Sequence, residues 1–316
     1  MSSSSECITW FAVFLTVSVA IVIVNLLSII LFMKNTNLRT RAMYLVINLT
    51  VADMFVGVIS FLYAIIQLYA SRKCAIVKIF LTSKETMTMA FLFCWFPLTS
   101  LTSIAVISLD RLHATFRPFR HRFITENVYW VTIFAIWVLP AMVSATLQLF
   151  VSFWNELQWY YFPLWESYSC LCLFVICVSY SSIVFHFLRG AKPQQHGASN
   201  RQRKLTITLF IMTIVSLLMW LPYVIAALSR LTSVRLQKTF GALFLANSFV
   251  NVIVYTIRMP EFRKAILELF KRRQRKMVLL FLFRPVNVPY VICLLYVRHD
   301  LKSAKKYTFI SPFLEK

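Results

Sequence analysis

The chain has 316 residues, is 59% hydrophobic, contains only four glycines and bears a formal net charge of +22. With 14% charged residues it has too little charge to cover a water-soluble domain of this size. The positive charge falls in short segments between long apolar runs, where it marks one membrane face and attracts anionic lipid, so no nucleic-acid partner is expected.

Seven uncharged runs follow one another at 8–33, 42–71 (interrupted only by Asp53), 86–109, 127–155, 167–188, 205–229 and 239–257. At about 1.5 Å rise per residue, each crosses a hydrocarbon core of about 30 Å as a helix. Backbone polar groups in lipid must be satisfied internally, and barrel strands would be half this length. The predicted fold is therefore an all-α membrane protein, a seven-transmembrane helix bundle over 8–270. A short extracellular N-terminus, 1–7, precedes it, and a basic then apolar tail, 271–316, follows.

Orientation comes from lysine and arginine in the connecting segments. One side carries Lys34, Arg39 and Arg41, then Arg111, Arg117, Arg120 and Arg122, then Arg189, Lys192, Arg201, Arg203 and Lys204, and finally the basic cluster from Arg258 to Lys276. The other side has fewer: Arg72, Lys73, Lys78, Lys84, Arg230, Arg235 and Lys238. This places the N-terminus outside the cell and the C-terminus in the cytoplasm. The residues before the first run carry no positive charge, and that run is too long for a signal-peptide core, so the first span is expected to act as its own insertion signal.

Cys94, Cys172 and Cys177 fall within spans and read as small apolar residues. Cys7, Cys74 and Cys170 fall near the extracellular side, where a disulfide can form, but three cysteines cannot all pair. Asn48-Leu49-Thr50 has the form of a glycosylation acceptor but sits at the cytoplasmic end of the second span.

Few strongly polar side chains lie within the runs. Asn25 is in the first span; Asn48 and Asp53 are in the second; Ser100 is in the third; Asn247, Ser248 and Asn251 are in the seventh. Asp110 and Arg111 close the third run, at a cost of about 2.5–3.5 kcal/mol per charge at the bilayer centre. Such groups act either as interhelical hydrogen-bond glue or as an ion or water site. Trp220 and Pro222 lie on the sixth span, and Tyr180 and Tyr255 lie near the cytoplasmic ends of the fifth and seventh.

Taken in order, these residues resemble the rhodopsin-like family of G-protein-coupled receptors over roughly 8–270. Asn25 matches the helix-one asparagine, and Asn48-Leu49-Thr50-Val51-Ala52-Asp53 matches N-L-x-x-A-D. Asp110-Arg111-Leu112 with Pro118 matches D-R-Y and its loop proline. Trp137 fits the helix-four tryptophan, and Met219-Trp220-Leu221-Pro222 fits C-W-x-P. Asn247-Ser248 with Asn251-Val252-Ile253-Val254-Tyr255 fits N-S…N-P-x-x-Y. Glu261-Phe262-Arg263 opens a stretch like the family's short amphipathic eighth helix.

The resemblance implies a plasma-membrane receptor, not an enzyme, that binds an extracellular ligand and activates a heterotrimeric G protein as helix six opens around Arg111. Asp110 would restrain Arg111, and Tyr180, Asn251 and Tyr255 would stabilise the open form. Asn25, Asp53, Ser100, Asn247, Ser248 and Asn251 would form a polar network holding a sodium ion, with Asp53 as its charged ligand. No other cofactor is implied. Phe93, Trp220, Tyr223 and Phe244 would line the ligand pocket, with Trp220 as its moving floor.

Several positions depart from the pattern. Leu112 replaces the tyrosine of D-R-Y, and Val252 replaces the proline of N-P-x-x-Y. Cys172, Leu101 and Ser216 stand where the family's relay has proline, isoleucine and phenylalanine. These changes motivate the alternative of a non-signalling seven-helix decoy or scaffold. Thr86 replaces the usual helix-three cysteine, and the second extracellular loop (about 154–165) has none, as in the melanocortin-like and some lipid-binding branches. Phe93 stands where amine receptors carry an aspartate, and Leu245 where opsins carry a lysine. Subtraction then leaves an apolar pocket for a lipid-like, small neutral or peptide ligand. The five histidines, all on the cytoplasmic half, are expected to have no nucleophile and carboxylate beside them. In the tail, 277–297 is apolar but broken by Arg284, Pro285 and Pro289, and makes a poor eighth span.

Overall fold

The computed structural model describes residues 4–34, 41–70, 83–153, 161–189, 197–228, 234–258 and 262–268. Among them the regular structure is entirely helical: α1 (Ser4–Lys34), α2 (Arg41–Ala70), α3 (Ser83–Phe116), the short α4 (Pro118–Arg122), α5 (Glu126–Phe153), α6 (Tyr161–Leu188), α7 (Gly197–Leu228), α8 (Val234–Arg258) and α9 (262–268). Contacts divide the chain into a unit of residues 1–267 and a second of 268–316. Apart from Glu268, the second unit lies outside the described residues, as do Cys74, Lys192 and the 277–297 segment.

The helices outrun the uncharged runs because a charge ends a hydrophobic run without ending a helix. Lysine, arginine and glutamate are good helix formers. α1 therefore begins at Ser4, inside the predicted extracellular N-terminus, and α7 begins at Gly197, ahead of Arg201, Arg203 and Lys204. α6 begins at Tyr161, which draws Trp165 out of the predicted loop and places Glu166 inside a helix. α3 continues to Phe116, so Asp110 and Arg111 lie within it rather than at its end. What stops α3 is Pro118: the preceding Arg117 is held out of helical geometry at φ −132°, ψ 62°, and the proline opens α4. Val252, with its backbone donor restored, lies in uninterrupted helix.

α1, α2, α5, α6, α7 and α8 form a ring that closes where α8 meets α1, and α3 runs inside it against α2, α5, α6 and α7. The burial pattern shows this: Phe96, Leu98, Thr99, Ser100, Leu101, Thr102, Ser103 and Ile104 are all buried in succession, which only a central helix achieves. α1 and α2 approach closely at Gly57, where an added Cβ would lie 2.8 Å from Ile21 Cγ2. α9 lies beyond α8 with Phe262 and Ala265 buried and Arg263 and Lys264 exposed, and Phe262 packs on Phe32 with ring centroids 5.3 Å apart.

Five helices have stretches long and apolar enough to cross a membrane: Ile8–Lys34, Met43–Ile66, Met87–Phe116, Glu126–Leu149 and Leu164–His186. α7 and α8 carry shorter apolar stretches, Ile214–Ala226 and Lys238–Val254. On the outer surface Val131, Phe134, Leu171, Phe174 and Leu218 are 58–69% exposed. An apolar belt on this scale fits contact with lipid chains, not water.

Candidate functional site

The polar residues inside the bundle gather into one buried centre. Asp53 on α2 is fully buried and accepts three hydrogen bonds from two other helices. Ser100 Oγ donates to Oδ1 at 2.6 Å, Ser248 Oγ to the same oxygen at 2.7 Å, and Asn251 Nδ2 to Oδ2 at 2.7 Å. Asn25 brings in α1 through Nδ2, which donates to the carbonyls of Ser248 at 3.1 Å and Ile21 at 2.9 Å. Asn247 is buried beside Ser248 in sequence, and its Oδ1 has no hydrogen-bond partner among the described residues; the same holds for Oδ1 of Asn25 and of Asn251. A carboxylate with several amide and hydroxyl oxygens around it is the ligand chemistry of a hard cation or of bound water.

A second hydrogen-bonded group fastens α2, α3 and α5. Asn48 Nδ2 donates to Ser103 Oγ at 3.1 Å, and Trp137 Nε1 donates to Asn48 Oδ1 at 2.8 Å. Trp95 Nε1 reaches the Trp137 carbonyl at 3.0 Å, while Phe55, Trp95 and Phe96 pack around the Trp137 ring. Asn48, buried and satisfied on both ends of its amide, is no glycosylation acceptor. Trp95 and Phe96 are core residues here.

The aromatic cluster forms at the end of the bundle where α6 starts and α7 finishes. Trp165 stacks on Trp220 (6.0 Å, 20°), and Tyr223 stacks on Phe244 (4.8 Å, 27°). The two stacks meet at steep angles, 79° between Trp165 and Tyr223 and 73° between Trp220 and Phe244. Trp220 and Phe244 form the buried base, whereas Trp165 and Tyr223 are half-buried. Of the four residues expected to line a pocket, Phe93 is not in this cluster. It packs instead on Tyr63 of α2 at 4.9 Å, because its place on α3 turns it towards that helix. Trp165, expected in a loop, takes its place in the cluster. The signal available in the sequence was a tryptophan just ahead of the fifth apolar run, separated from it by a single glutamate.

At the opposite end, Arg111 is buried and its side chain pairs with that of Asp110; the two are 3% and 9% exposed. Asp110 is held by more than Arg111. His121 Nε2 on α4 meets Asp110 Oδ1 at 2.9 Å, and Tyr129 Oη on α5 donates to the same oxygen at 3.1 Å. His121 thus stands beside a carboxylate, that of Asp110. Proline-started α4 folds back under α3 and brings the imidazole there. With Leu112 in the place of the family's tyrosine, His121 and Tyr129 supply the polar contacts to Asp110 from outside α3. The nearby rings of His113 and His121 lie 5.7 Å apart.

Between these ends lies the altered relay. Leu101, Cys172 and Ser216 are all buried, and Ser216 Oγ has no hydrogen-bond partner among the described residues. Tyr180 is buried and its ring lies 5.4 Å from Phe210 of α7. Tyr255 falls on α8, but its side chain lies outside the described residues. Cys170 and Cys177 are free thiols exposed on the outer surface of α6, and Cys172 and Cys94 are also free.

Membrane-length helices ringed around a buried carboxylate, with a caged arginine at one end and an aromatic cluster at the other, define a multi-pass helical membrane protein of receptor type. Residues 24–255 match the family described as 7 transmembrane receptor (rhodopsin family). The chain belongs to that family. The matched region runs from the residue before Asn25 to Tyr255 and so takes in every polar cluster above.

Proposed function

We propose that this protein is a seven-span receptor, N-terminus outside, which binds an extracellular ligand and drives nucleotide exchange on a heterotrimeric G protein at the plasma membrane. The observation that carries this reading is the caged arginine. A guanidinium buried within a spanning helix is costly unless something compensates it. Here Asp110 compensates it, and Asp110 is in turn fixed by His121 and Tyr129 from two other helices. This arrangement describes the closed state of a two-state element. Opening α7, the sixth span, would free Arg111 for the G protein, with Tyr180, Asn251 and Tyr255 steadying the open form. Ligand and G protein bias the same equilibrium, so each raises affinity for the other.

Asp53, Ser100, Asn247, Ser248 and Asn251 would hold a sodium ion, whose charge Asp53 would balance, and Asn25 would brace the centre from α1. α9 would lie along the cytoplasmic membrane surface with Phe262 inward and its basic side chains towards lipid headgroups. The test is a nucleotide-exchange assay in membranes that compares the parent chain with Arg111→Ala. Exchange, basal or stimulated by tissue extract, is expected to fall to background in the variant. Exchange that is independent of Arg111, or absent from both chains, rejects the receptor reading.

A further inference from the structure

α4 has two unlike faces. On one, His121 turns towards α3, where its Nε2 meets Asp110 Oδ1 at 2.9 Å. The backbone stays helical as far as Phe123 (φ −91°, ψ −1°), and the amide of Phe123 donates to the Arg120 carbonyl at 3.1 Å. At about 100° per residue, Phe119 and Phe123, two positions before and after His121, each lie about 160° round the axis from it. They accordingly point away from Asp110, and are 71% and 83% exposed. Arg117 and Arg120 are exposed beside them and form no ion pair among the described residues.

Rings this open are costly in water, and their place in the chain offers another solvent. The apolar stretch of α3 ends at Phe116 and that of α5 begins at Glu126. Phe119 is three residues past the first and Phe123 three before the second, and three residues reach at most about 11 Å. The polar layer of one leaflet is itself about 5–8 Å deep. Outward apolar residues continue on both sides: Phe116 is 49% exposed, and Val128, Trp130 and Val131 are 52–68% exposed. Across 117–128, three arginines face a single carboxylate, Glu126. Exposed aromatics flanked by arginine are the composition of a segment that lies in an anionic membrane surface. We propose that α4 is a seat for anionic phospholipid. Phe119 and Phe123 enter the leaflet, Arg117 and Arg120 take the headgroup phosphates, and the bound lipid steadies His121 on Asp110.

This rests on the receptor reading for the meaning of the Asp110 latch, but not for the lipid contact itself. A cytoplasmic protein could also cover two phenyl rings; what favours lipid is that the bilayer lies within reach of both at all times. His121 and the rings occupy opposite faces of one turn, so whatever orders one face orders the other. Lipid and latch are therefore coupled reciprocally, and the composition of the leaflet sets how firmly Arg111 is held.

The test uses the purified full chain, without G protein, in nanodiscs of phosphatidylcholine alone or mixed with phosphatidylserine. Amide hydrogen exchange is followed across 117–125. Labelling of that segment is followed with a phosphatidylserine whose acyl chain carries a photoreactive group. Phosphatidylserine is expected to slow hydrogen exchange about fivefold for each arginine engaged, an effect that fades at high salt, and the segment is expected to take the label. Arg117→Gln with Arg120→Gln should return hydrogen exchange to its rate in phosphatidylcholine, and Phe119→Ser with Phe123→Ser should abolish the label. All four side chains are exposed, so the thermal midpoint should stay at the parent value. Equal hydrogen exchange in the two bilayers, slowing that survives the arginine changes, or a segment without label overturns the proposal, and the last leaves the ridge to a protein partner. Slowing of equal size in His121→Ala overturns the link to Asp110. Because no G protein is present and Arg111 is untouched, the outcome is independent of whether nucleotide exchange requires Arg111.

Discussion

The buried centre around Asp53 allows a substitution pair to be worked through atom by atom. In Asp53→Asn the new Oδ1 can still accept from Ser100 and Ser248, which both use one oxygen of the carboxylate. The new Nδ2 meets Asn251 Nδ2, donor against donor, at a 2.7 Å contact. Asn251 can resolve this by turning its amide, because its own Oδ1 has no hydrogen-bond partner among the described residues and becomes the acceptor. All three contacts therefore survive and only the charge is lost. Asp53→Ala instead orphans three donors. The two serines have a fallback, the carbonyl one turn back, which Thr99, Thr102 and Ser103 already use. Asn251 has a longer amide that must find a new acceptor. At about 0.6 kcal/mol per side-chain hydrogen bond within a membrane protein, the three bonds lost in Asp53→Ala cost up to about 2 kcal/mol, less what the serines regain, and Asp53→Asn should cost under about 1 kcal/mol. Thermal unfolding of the purified full chain, followed with and without sodium, measures both. Asp53→Asn is expected to unfold near the parent temperature with its sodium dependence lost, and Asp53→Ala clearly lower. If Asp53→Asn falls as far as Asp53→Ala, charge rather than acceptor count holds the centre, and the hydrogen-bond reasoning fails.

Three further outcomes follow from the packing and from the latch. His121→Ala removes one of the contacts that hold Asp110, worth about 1 kcal/mol, so basal nucleotide exchange should rise about fivefold; unchanged exchange would show that Tyr129 alone fixes the carboxylate. Gly57→Leu forces a side chain into the 2.8 Å approach of Ile21 and should lower stability by about 1–3 kcal/mol in thermal unfolding, whereas the same change at Gly241, where an added Cβ meets only Phe14 Cζ at 3.8 Å, should cost less. Ser216→Ala deletes a buried hydroxyl with no hydrogen-bond partner among the described residues and should leave stability unchanged or raise it by about 1 kcal/mol. A loss on Ser216→Ala would mean that the hydroxyl has a bound water or another partner.

How much of this was legible in the sequence differs by kind of residue. The spans were legible because lipid demands an unbroken apolar stretch, and hydropathy reads that directly. Helix ends were not, because they are set by proline and backbone geometry: Arg117–Pro118 stops α3, seven residues beyond the last uncharged one. The polar centre was legible because asparagine and aspartate are rare in these helices, so Asn25, Asp53 and Asn251 stand out even before their hydrogen bonds are known, whereas Ser100 and Ser248, two serines among many, were picked out only by their match to the family pattern. The aromatic cluster was half legible. Aromatic residues are abundant in every span, so composition could not separate Phe93, which faces Tyr63, from Phe244, which faces Trp220. His121 and Glu166 were hidden for a common reason. Each is a polar residue between apolar runs, where solvent is the default expectation, and only the path of α4 and the early start of α6 turn them inward.

The distribution of hydrogen bonds over the helices bears on which of them can move. α3 is tied by side chains to its neighbours in several directions: Ser100 to Asp53 of α2, Thr102 with Tyr168 of α6 at 2.9 Å, Ser103 to Asn48 of α2, and Asp110 to His121 and Tyr129. α8 is tied to α1 and α2 through Ser248 and Asn251. The inward polar atoms of α7, Ser216 Oγ and Trp220 Nε1, have no hydrogen-bond partner among the described residues. At those positions α7 is held by ring packing, Trp220 against Trp165 and Phe244, and Phe210 against Tyr180. Directional bonds fix a helix at one distance and angle, whereas apolar contacts tolerate sliding and rotamer change at small cost. Ser216 adds to this, since a serine in place of a phenyl ring leaves less packing to break. If α7 swings to uncover Arg111 as proposed, the described contacts that Trp220 gives up are ring packing and no hydrogen bond of its indole nitrogen, which would keep the cost of the open state low.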